Sequence, residues 1–373
     1  ARKAPFAQYY FLFHIMPNTG GGLEHLNSTQ IFLGSDWDAD SFAGSAYNGL
    51  QSKVEVSAHE FFHAWNVKRV RPKPLGPFDY SREVNTPSLW ISEGITDYYA
   101  PLALARAGII TPEQYLQQMG QAITQLESSP GRKERSLEDT SWDTWFWYVG
   151  EGRFQTNEPN IDFSYYTGGH VMGQLLDLII RNSTQNKKSL DDWMRLMYSR
   201  YALPKPGFTP EDAVRAATEV AATDMSDFFR RYISGKEIPP YEKILGYAGI
   251  EIQNGASANR AYFGLGVGRA RNPQGSLTIG NVADGGPAQA AGLDRGDVII
   301  SINGHAIDAS SYAQAIAAAK PGDSVVFTVS HLGAQRDVTV RPSIDPRFTY
   351  SLKFTDHPTE LQRAIFRSML GLP

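Results

Sequence analysis

The stretch Val56-Ser57-Ala58-His59-Glu60-Phe61-Phe62-His63-Ala64-Trp65 sets H-E-x-x-H inside an apolar, helix-compatible run. Residues four apart share one face of an α-helix, so His59 and His63 can offer both imidazoles to one cation, with Glu60 beside it. Imidazole suits zinc, and a catalytic zinc site takes three protein ligands while leaving a fourth position for water. The best candidate for the third ligand is Glu93, in Trp90-Ile91-Ser92-Glu93-Gly94-Ile95-Thr96-Asp97-Tyr98-Tyr99. Asp97 stands one helical turn beyond it. From there it can accept a hydrogen bond from the remaining N–H of a liganding imidazole and fix that ring's tautomer. H-E-x-x-H arises by accident in a chain this long on the order of one time in a hundred, and the E-x-x-x-D pair downstream makes accident rarer still.

The chain has 373 residues, enough for two or three domains of ~100 to 200 residues each. Its 35 basic and 39 acidic residues leave a net charge of −4, so charge gives no case for nucleic acid or an anionic membrane as partner. Cysteine is absent, which excludes disulfides, thiolate ligands and a cysteine nucleophile. No apolar run reaches the ~20 residues of a spanning helix, and the N-terminus has no charged-then-apolar leader. The chain opens without Met at Ala1-Arg2-Lys3-Ala4 and runs into the strand-like Tyr9–Ile15, as the interior of a longer protein or a processed one would.

Gly20-Gly21-Gly22-Leu23-Glu24-His25 reads as a glycine-rich turn feeding a strand that extends to Leu33. Gly21 and Gly22 would let backbone approach a ligand closely, and an edge strand there could pair with an extended peptide. Glu24, with His25 beside it, either holds a substrate ammonium group or is a solvated turn carboxylate. Residues 36 to 50 read as an exposed loop. The prolines of Val67–Pro77 forbid a helix or central strand, and the basic residues there are expected to be solvated or ion-paired.

Helices are expected at about 89 to 107, 111 to 129, 189 to 201, 210 to 221 and 224 to 234, with Thr111 and Thr209 as N-caps before Pro112 and Pro210. Trp142, Trp145, Phe146, Trp147 and Tyr148 are expected in a core or pocket wall. Asp162–His170 should lead into an apolar helix from Val171 to Ile180. A tyrosine from a neighbouring element could donate its hydroxyl to an oxyanion, although buried tyrosines are common in cores. His170 is either a polar neighbour of the site or a packed, satisfied histidine.

After Pro239-Pro240 the composition changes to short strands and turns around Phe263-Gly264-Leu265-Gly266-Val267 and Gly296-Asp297-Val298-Ile299-Ile300. This segment resembles a PDZ domain. The resemblance implies that the loop Gly264, Leu265, Gly266, Val267 offers N–H groups to a peptide C-terminal carboxylate while the adjoining strand pairs with the peptide. The alternative is a domain that packs on its neighbour and binds nothing. A last helix, about Pro358 to Leu370, should dock back on the body.

Four motifs together, G-G-L-E-H at 21 to 25, H-E-F-F-H at 59 to 63, W-I-S-E-G-I-T-D-Y-Y at 90 to 99 and S-Y-Y-T-G-G at 164 to 169, resemble the glycyl aminopeptidase family. These are gluzincins related in mechanism to thermolysin and aminopeptidase N. The resemblance implies an α+β multidomain chain. A mainly α-helical thermolysin-like catalytic domain would span 1 to 240, a small β-rich PDZ domain 241 to 345, and a C-terminal extension with a helix 346 to 373. The family's N-terminal β-domain is absent from the chain, having been removed by processing or standing as a separate fragment. By the same resemblance His59, His63 and Glu93 bind one Zn2+ per chain, Glu60 is general base and acid, and Asp97 supports a liganding histidine. Glu24 would hold the substrate α-amine and Tyr166 would stabilise the oxyanion. Gly168 stands where relatives carry Lys, which leaves Tyr165 as a substitute donor.

The expected activity is release of small N-terminal residues, Gly or Ala, from peptides with a free N-terminus. An endopeptidase of the same chemistry and a PDZ-centred peptide-binding protein with a vestigial metal site are the alternatives. Family type and the missing Met point to a bacterial periplasmic or secreted protein, with a cytoplasmic location left open.

Overall fold

Helices start where the sequence supplies caps. Thr111 accepts the Gln114 N–H while its own N–H donates to the Gln114 side chain, and the same reciprocal box forms at Thr209/Asp212 and Thr359/Gln362. The structure, a computed structural model, describes residues 4–16, 20–33, 49–148, 158–256, 260–269, 277–346 and 348–373. Most of the loop expected at 36 to 50 lies outside them.

Strands β1 (Tyr10–Ile15), β2 (Gly21–Glu24) and β3 (Ser28–Leu33) precede helix α1 (Gly49–Phe62). A π-helical turn, Trp90–Gly94, runs straight into α2 (Ile95–Arg106), followed by α3 (Pro112–Glu127), α4 (Leu137–Trp142), α5 (Thr144–Tyr148), α6 (Glu158–Ile161) and α7 (Tyr165–Ser183). Helices α8 (Leu190–Tyr201), α9 (Pro210–Ala221), α10 (Ser226–Tyr232) and α11 (Tyr241–Gly246) complete the helical run. The β-rich part comprises β4 (Ile250–Ala256), β5 (Ala261–Tyr262), β6 (Leu265–Arg269), β7 (Leu277–Val282), α12 (Pro287–Ala290), β8 (Val298–Ile302), β9 (His305–Ala306), α13 (Ala309–Ala318), β10 (Val325–His331), β11 (Ala334–Val340), β12 (Ser343–Ile344) and β13 (Phe348–Phe354), with α14 (Glu360–Leu370) last. No helix among the described residues is long and apolar enough to cross a membrane.

The first sheet has the order β1-β3-β2. Strand β1 runs parallel to β3, and β2 lies antiparallel along the other side with Gly22 opposite Ile31 and Glu24 opposite Thr29. The glycines therefore belong to an edge strand rather than to a turn before one. Along β1, Tyr10, Phe11, Leu12, Phe13 and Ile15 are 41 to 57% exposed, an apolar strand facing solvent.

Two cores form. One gathers the faces of α2, α3, α7, α8, α9 and α14 around Ile95, Met119, Leu175, Trp193 and Ile365. The other, from Phe263 to Val340, fills the six-stranded sheet β11-β10-β8-β7-β6 with β9 attached to β8. The boundary expected at residue 240 needs correction: Tyr241, Ile244, Leu245 and Ile250 pack in the helical core. Strand β4 pairs with β13, and that ribbon lies on α3 through the Tyr350 N–H to Thr124 Oγ1 bond. The expected C-terminal extension is thus part of the first body, and the PDZ fold emerges from it as a loop-like insertion.

Two other expectations are corrected. Trp142 and Phe146 are 49 and 72% exposed, so neither of these two lies in a core. Helix α7 starts at Tyr165, well before Val171, because Ser164 caps it by accepting the Tyr166 N–H.

Helix α7 crosses the π-helical turn with almost no separation. A Cβ on Gly94 would sit 2.4 Å from Gly169 Cα, and one on Gly169 would sit 2.3 Å from the Trp90 carbonyl oxygen. Alanine gains at most about 1 kcal/mol of helix propensity over glycine, whereas overpacking against rigid backbone costs about 1 to 3. Gly169→Ala is expected to lower the thermal midpoint in calorimetry. Gly246→Ala, whose new methyl meets nothing within 4 Å, should leave it unchanged or slightly raised.

Candidate metal centre and substrate cleft

Helix α1 carries His59, His63 follows at the turn that ends it, and α2 packs against the helix. The π-helical turn adds a residue to the helical circuit, and such bulges often mark functional positions. Here it delivers Glu93, whose Oε2 lies 3.3 Å from His59 Nε2 and 3.2 Å from His63 Nε2. The two Nε2 atoms are 3.0 Å apart. Three lone-pair donors thus converge on one point, the set the sequence singled out.

Each imidazole is held from behind. His59 Nδ1 is 2.7 Å from Asp97 Oδ1, and His63 Nδ1 is 2.6 Å from the Asn66 carbonyl. Donation from both Nδ1 atoms leaves the Nε2 lone pairs for a cation. Asn66 also donates through Nδ2 to the Ile91 carbonyl at 2.7 Å and to Thr96 Oγ1 at 3.1 Å, which locks the end of the histidine helix to the glutamate turn. Sequence reasoning missed Asn66; its place just after the second histidine of the motif was the available signal. Burial opposes the charge on all three ligands, yet Asp97 and Glu93 hold His59 well above the usual imidazole range and Glu93 raises His63. The same histidines outweigh burial at Glu93 and hold its carboxyl far below the ordinary value.

Glu60 is buried beside the triad. Burial lifts its pKa to about 7, His59 and His63 pulling it down and Glu24 and Glu93 adding to the rise. Its Oε2 makes no hydrogen bond to any described residue, as suits a carboxylate that receives a water or substrate proton. Strand β2 lies directly on it: a Cβ at Gly22 would come within 2.3 Å of Glu60 Oε1. Glycine at 22 is therefore a requirement of close approach. Tyr9, another residue that sequence reasoning passed over, reaches the Glu60 carbonyl through its hydroxyl at 3.3 Å.

Glu24 joins this cluster, with ligand-capable atoms of Glu24, Glu60 and His63 within 4.8 Å of one another. It is ion-paired to Lys68 Nζ at 3.0 Å. Of the basic residues after α1, expected to be solvated or ion-paired, Lys68 is thus ion-paired, while Arg69 donates to the carbonyls of Leu26 and Ala64. His25 does not reach the cluster; it is exposed, with Nδ1 3.2 Å from the Leu23 carbonyl. Gly21, with φ at +107°, turns the chain into the strand.

Of the two tyrosines, Tyr166 faces the metal ligands. Its ring stacks on His59 with centroids 6.2 Å apart, while Tyr165 is buried behind it, its hydroxyl accepting from Thr144 Oγ1 at 3.1 Å. Gly168 explains why no lysine stands there. A Cβ would meet Leu137 Cδ1 at 2.6 Å and Phe163 Cε2 at 3.0 Å. His170 packs against Tyr98 with ring centroids 6.2 Å apart and burial pushes its pKa down, but its Nε2 is buried without a hydrogen-bond partner among the described residues, so the histidine is packed and not satisfied.

In the second body, Gly264 takes φ of +70° and hands the chain to β6, the end strand of its sheet. Leu265 and Val267 turn towards the core that α13 covers with Tyr312, Ala315 and Ile316.

The helical body thus brings together a histidine pair, a carboxylate from a second helix and an edge strand across them, and it is joined to a β-rich fold. The comparisons agree. Residues 52–172 match the M61 glycyl aminopeptidase family and residues 247–341 match the PDZ domain. A crystal structure of an aminopeptidase N family protein from Idiomarina loihiensis superposes with a TM-score of 0.84 at 26% identity, covering 97% of this chain and 63% of that one. Rho GTPase-activating protein 21-B of Xenopus laevis is 39% identical over 66 residues, 17% of this chain and 4% of that protein; its counterpart from Xenopus tropicalis matches equally over 3% of its length. The chain therefore spans 63% of the similar structure and a small fraction of these curated relatives.

Loss of an outer partner of a liganding histidine typically weakens metal affinity about 10- to 100-fold. Asp97→Ala is expected to do so for Zn2+, measured by competition with a chromogenic chelator. Affinity should also fall on acidification from neutral pH, because both imidazoles retain protons above the usual 6.5 and those protons occupy the same lone pairs.

Proposed function

We propose that the chain is a zinc-dependent aminopeptidase that releases small N-terminal residues, Gly or Ala, from peptides. The observation that carries this reading is the position of Glu24: a second carboxylate beside Glu60, on the edge strand that a peptide would join. His59, His63 and Glu93 would hold the metal. Zinc bound there would supply Lewis acidity to an attacking water and to the scissile carbonyl.

The protein groups do the rest. The substrate extends along β2, whose glycines admit its backbone, and Glu24 takes the α-ammonium group. Glu60, with a pKa near 7, accepts a proton from water as oxygen attacks the carbonyl carbon. Tyr166 donates its hydroxyl to the oxyanion that forms. Collapse breaks the C–N bond, and Glu60 returns the proton to the departing amine. The preference for small residues rests on the matched family's description as glycyl aminopeptidase.

One observation favours a second reading. The Lys68 ammonium group already satisfies Glu24, so an endopeptidase with Glu24 as a structural ion-pair partner fits the same geometry.

Hydrolysis of Gly- and Ala-p-nitroanilide, beside their N-acetylated forms, separates the two. The aminopeptidase reading expects cleavage of free-amine substrates alone. Glu24→Ala should lower kcat/KM by about 100-fold or more, the scale of removing a half-buried charged contact. Chelation should abolish turnover and added zinc should restore it. Cleavage of acetylated substrates that survives Glu24→Ala would establish the endopeptidase.

A further inference from the structure

The short helix α6 lies between the two bodies, and Asn160 is its contact with the PDZ fold. The side chain is 7% exposed. Its Nδ2 donates to the Val282 carbonyl at 2.7 Å, and its Oδ1 accepts the Asp284 N–H at 3.2 Å. Both halves of the amide are used on one backbone segment. Aspartate lacks the donor and alanine lacks both groups, so asparagine is matched to this double contact.

The gripped PDZ segment is not a free loop. Val282 pairs with Leu265 in the sheet, and the Ala283 N–H donates to the Gly264 carbonyl at 2.8 Å. On the other side the chain runs from Asn160 to Tyr166, held at Asp162, Phe163 and Ser164. A Cβ on Gly131 would lie 2.2 Å from the Asp162 carbonyl oxygen, so the segment is pressed against the turn at Pro130–Lys133. Ser129 Oγ donates to that carbonyl at 3.3 Å, the Arg132 guanidinium lies over the Phe163 ring at 5.7 Å, and Ser164 caps the helix on which Tyr166 stands.

We infer that Asn160 is a positioning residue for the reaction, fixing the segment before Tyr166 against the PDZ domain so that the Tyr166 hydroxyl is held where the oxyanion forms. The PDZ domain then serves catalysis as a support, whatever peptide its groove takes. This rests on Tyr166 acting as oxyanion donor. A group needed only in the transition state lowers kcat when displaced and leaves KM alone.

The test is a double-mutant cycle on the full-length, zinc-loaded chain, with Ala-p-nitroanilide as substrate. Asn160→Ala is expected to lower kcat about 10-fold with KM within about 2-fold, and Asn160→Asp, which keeps the acceptor, less. Tyr166→Phe should lower kcat by about 100-fold, the scale of losing one oxyanion donor. In the Tyr166→Phe background, Asn160→Ala should cost less than about 2-fold more, because the group it positions is gone. Equal losses in both backgrounds overturn the inference and leave a general structural effect, as does an unchanged kcat in Asn160→Ala. Full activity of Tyr166→Phe removes the oxyanion reading itself, an outcome distinct from failure at Asn160. Bound zinc per chain, measured on every variant, separates loss of alignment from loss of metal.

Discussion

Everything at the site depends on two main chains touching without side chains between them. Gly94 and Gly169 let α7 lie against the π-helical turn at backbone contact distance. Glu93 precedes one of these glycines, and Tyr166 stands one turn before the other. The separation of third ligand and candidate oxyanion donor is therefore set by the absence of two methyl groups. The interior around this contact is close-packed, so a widening there has no slack to absorb it.

The polar groups that reach inward are tied down with the same economy. Asp177 on α7 accepts Tyr98 Oη at 2.8 Å, Arg181 Nε at 2.8 Å and the Leu190 N–H at 2.6 Å. One buried carboxylate joins α2, α7 and the start of α8. Because the charge is paired and every contact is a hydrogen bond, its burial is tolerated, and it fixes the helix that carries Tyr98 immediately after Asp97. The helix that carries Asp97 is thus held by this polar tie together with the apolar packing of Ile95, Tyr99 and Leu102.

Much of this was legible in the sequence, and the limits have physical causes. H-E-x-x-H and E-x-x-x-D are local patterns on helices, so spacing paired His59 with His63, offered Glu93 as the third candidate and set Asp97 behind one of the histidines, which the structure shows to be His59. The N-caps at Thr111 and Thr209 were equally local. The partner of His63 is the main-chain carbonyl of Asn66, three residues on, whose one signal was its place just after the motif. The other misses involve partners distant in the chain. Lys68 is paired with a residue on a different strand. The start of α7 was placed late because Tyr165–Gly169 lacks helix-favouring residues; packing against Trp90 and Gly94 overrides the local glycine cost. Pro239-Pro240 resembles a domain boundary, yet β4 and β13 meet across the whole PDZ sequence and return the chain to the first core.

The two histidines of the candidate centre differ in a way that matters for anyone wishing to tune it. His63 leans on a peptide carbonyl, which every amino acid at position 66 would also provide. His59 leans on the carboxylate of Asp97, a side chain open to substitution. Replacing that carboxylate by an amide or a hydroxyl alters the electron density of a single imidazole while the other stays constant. Of the two histidines, His59 is thus the adjustable one and His63 the fixed one, and graded variation of the imidazole pair enters through position 97.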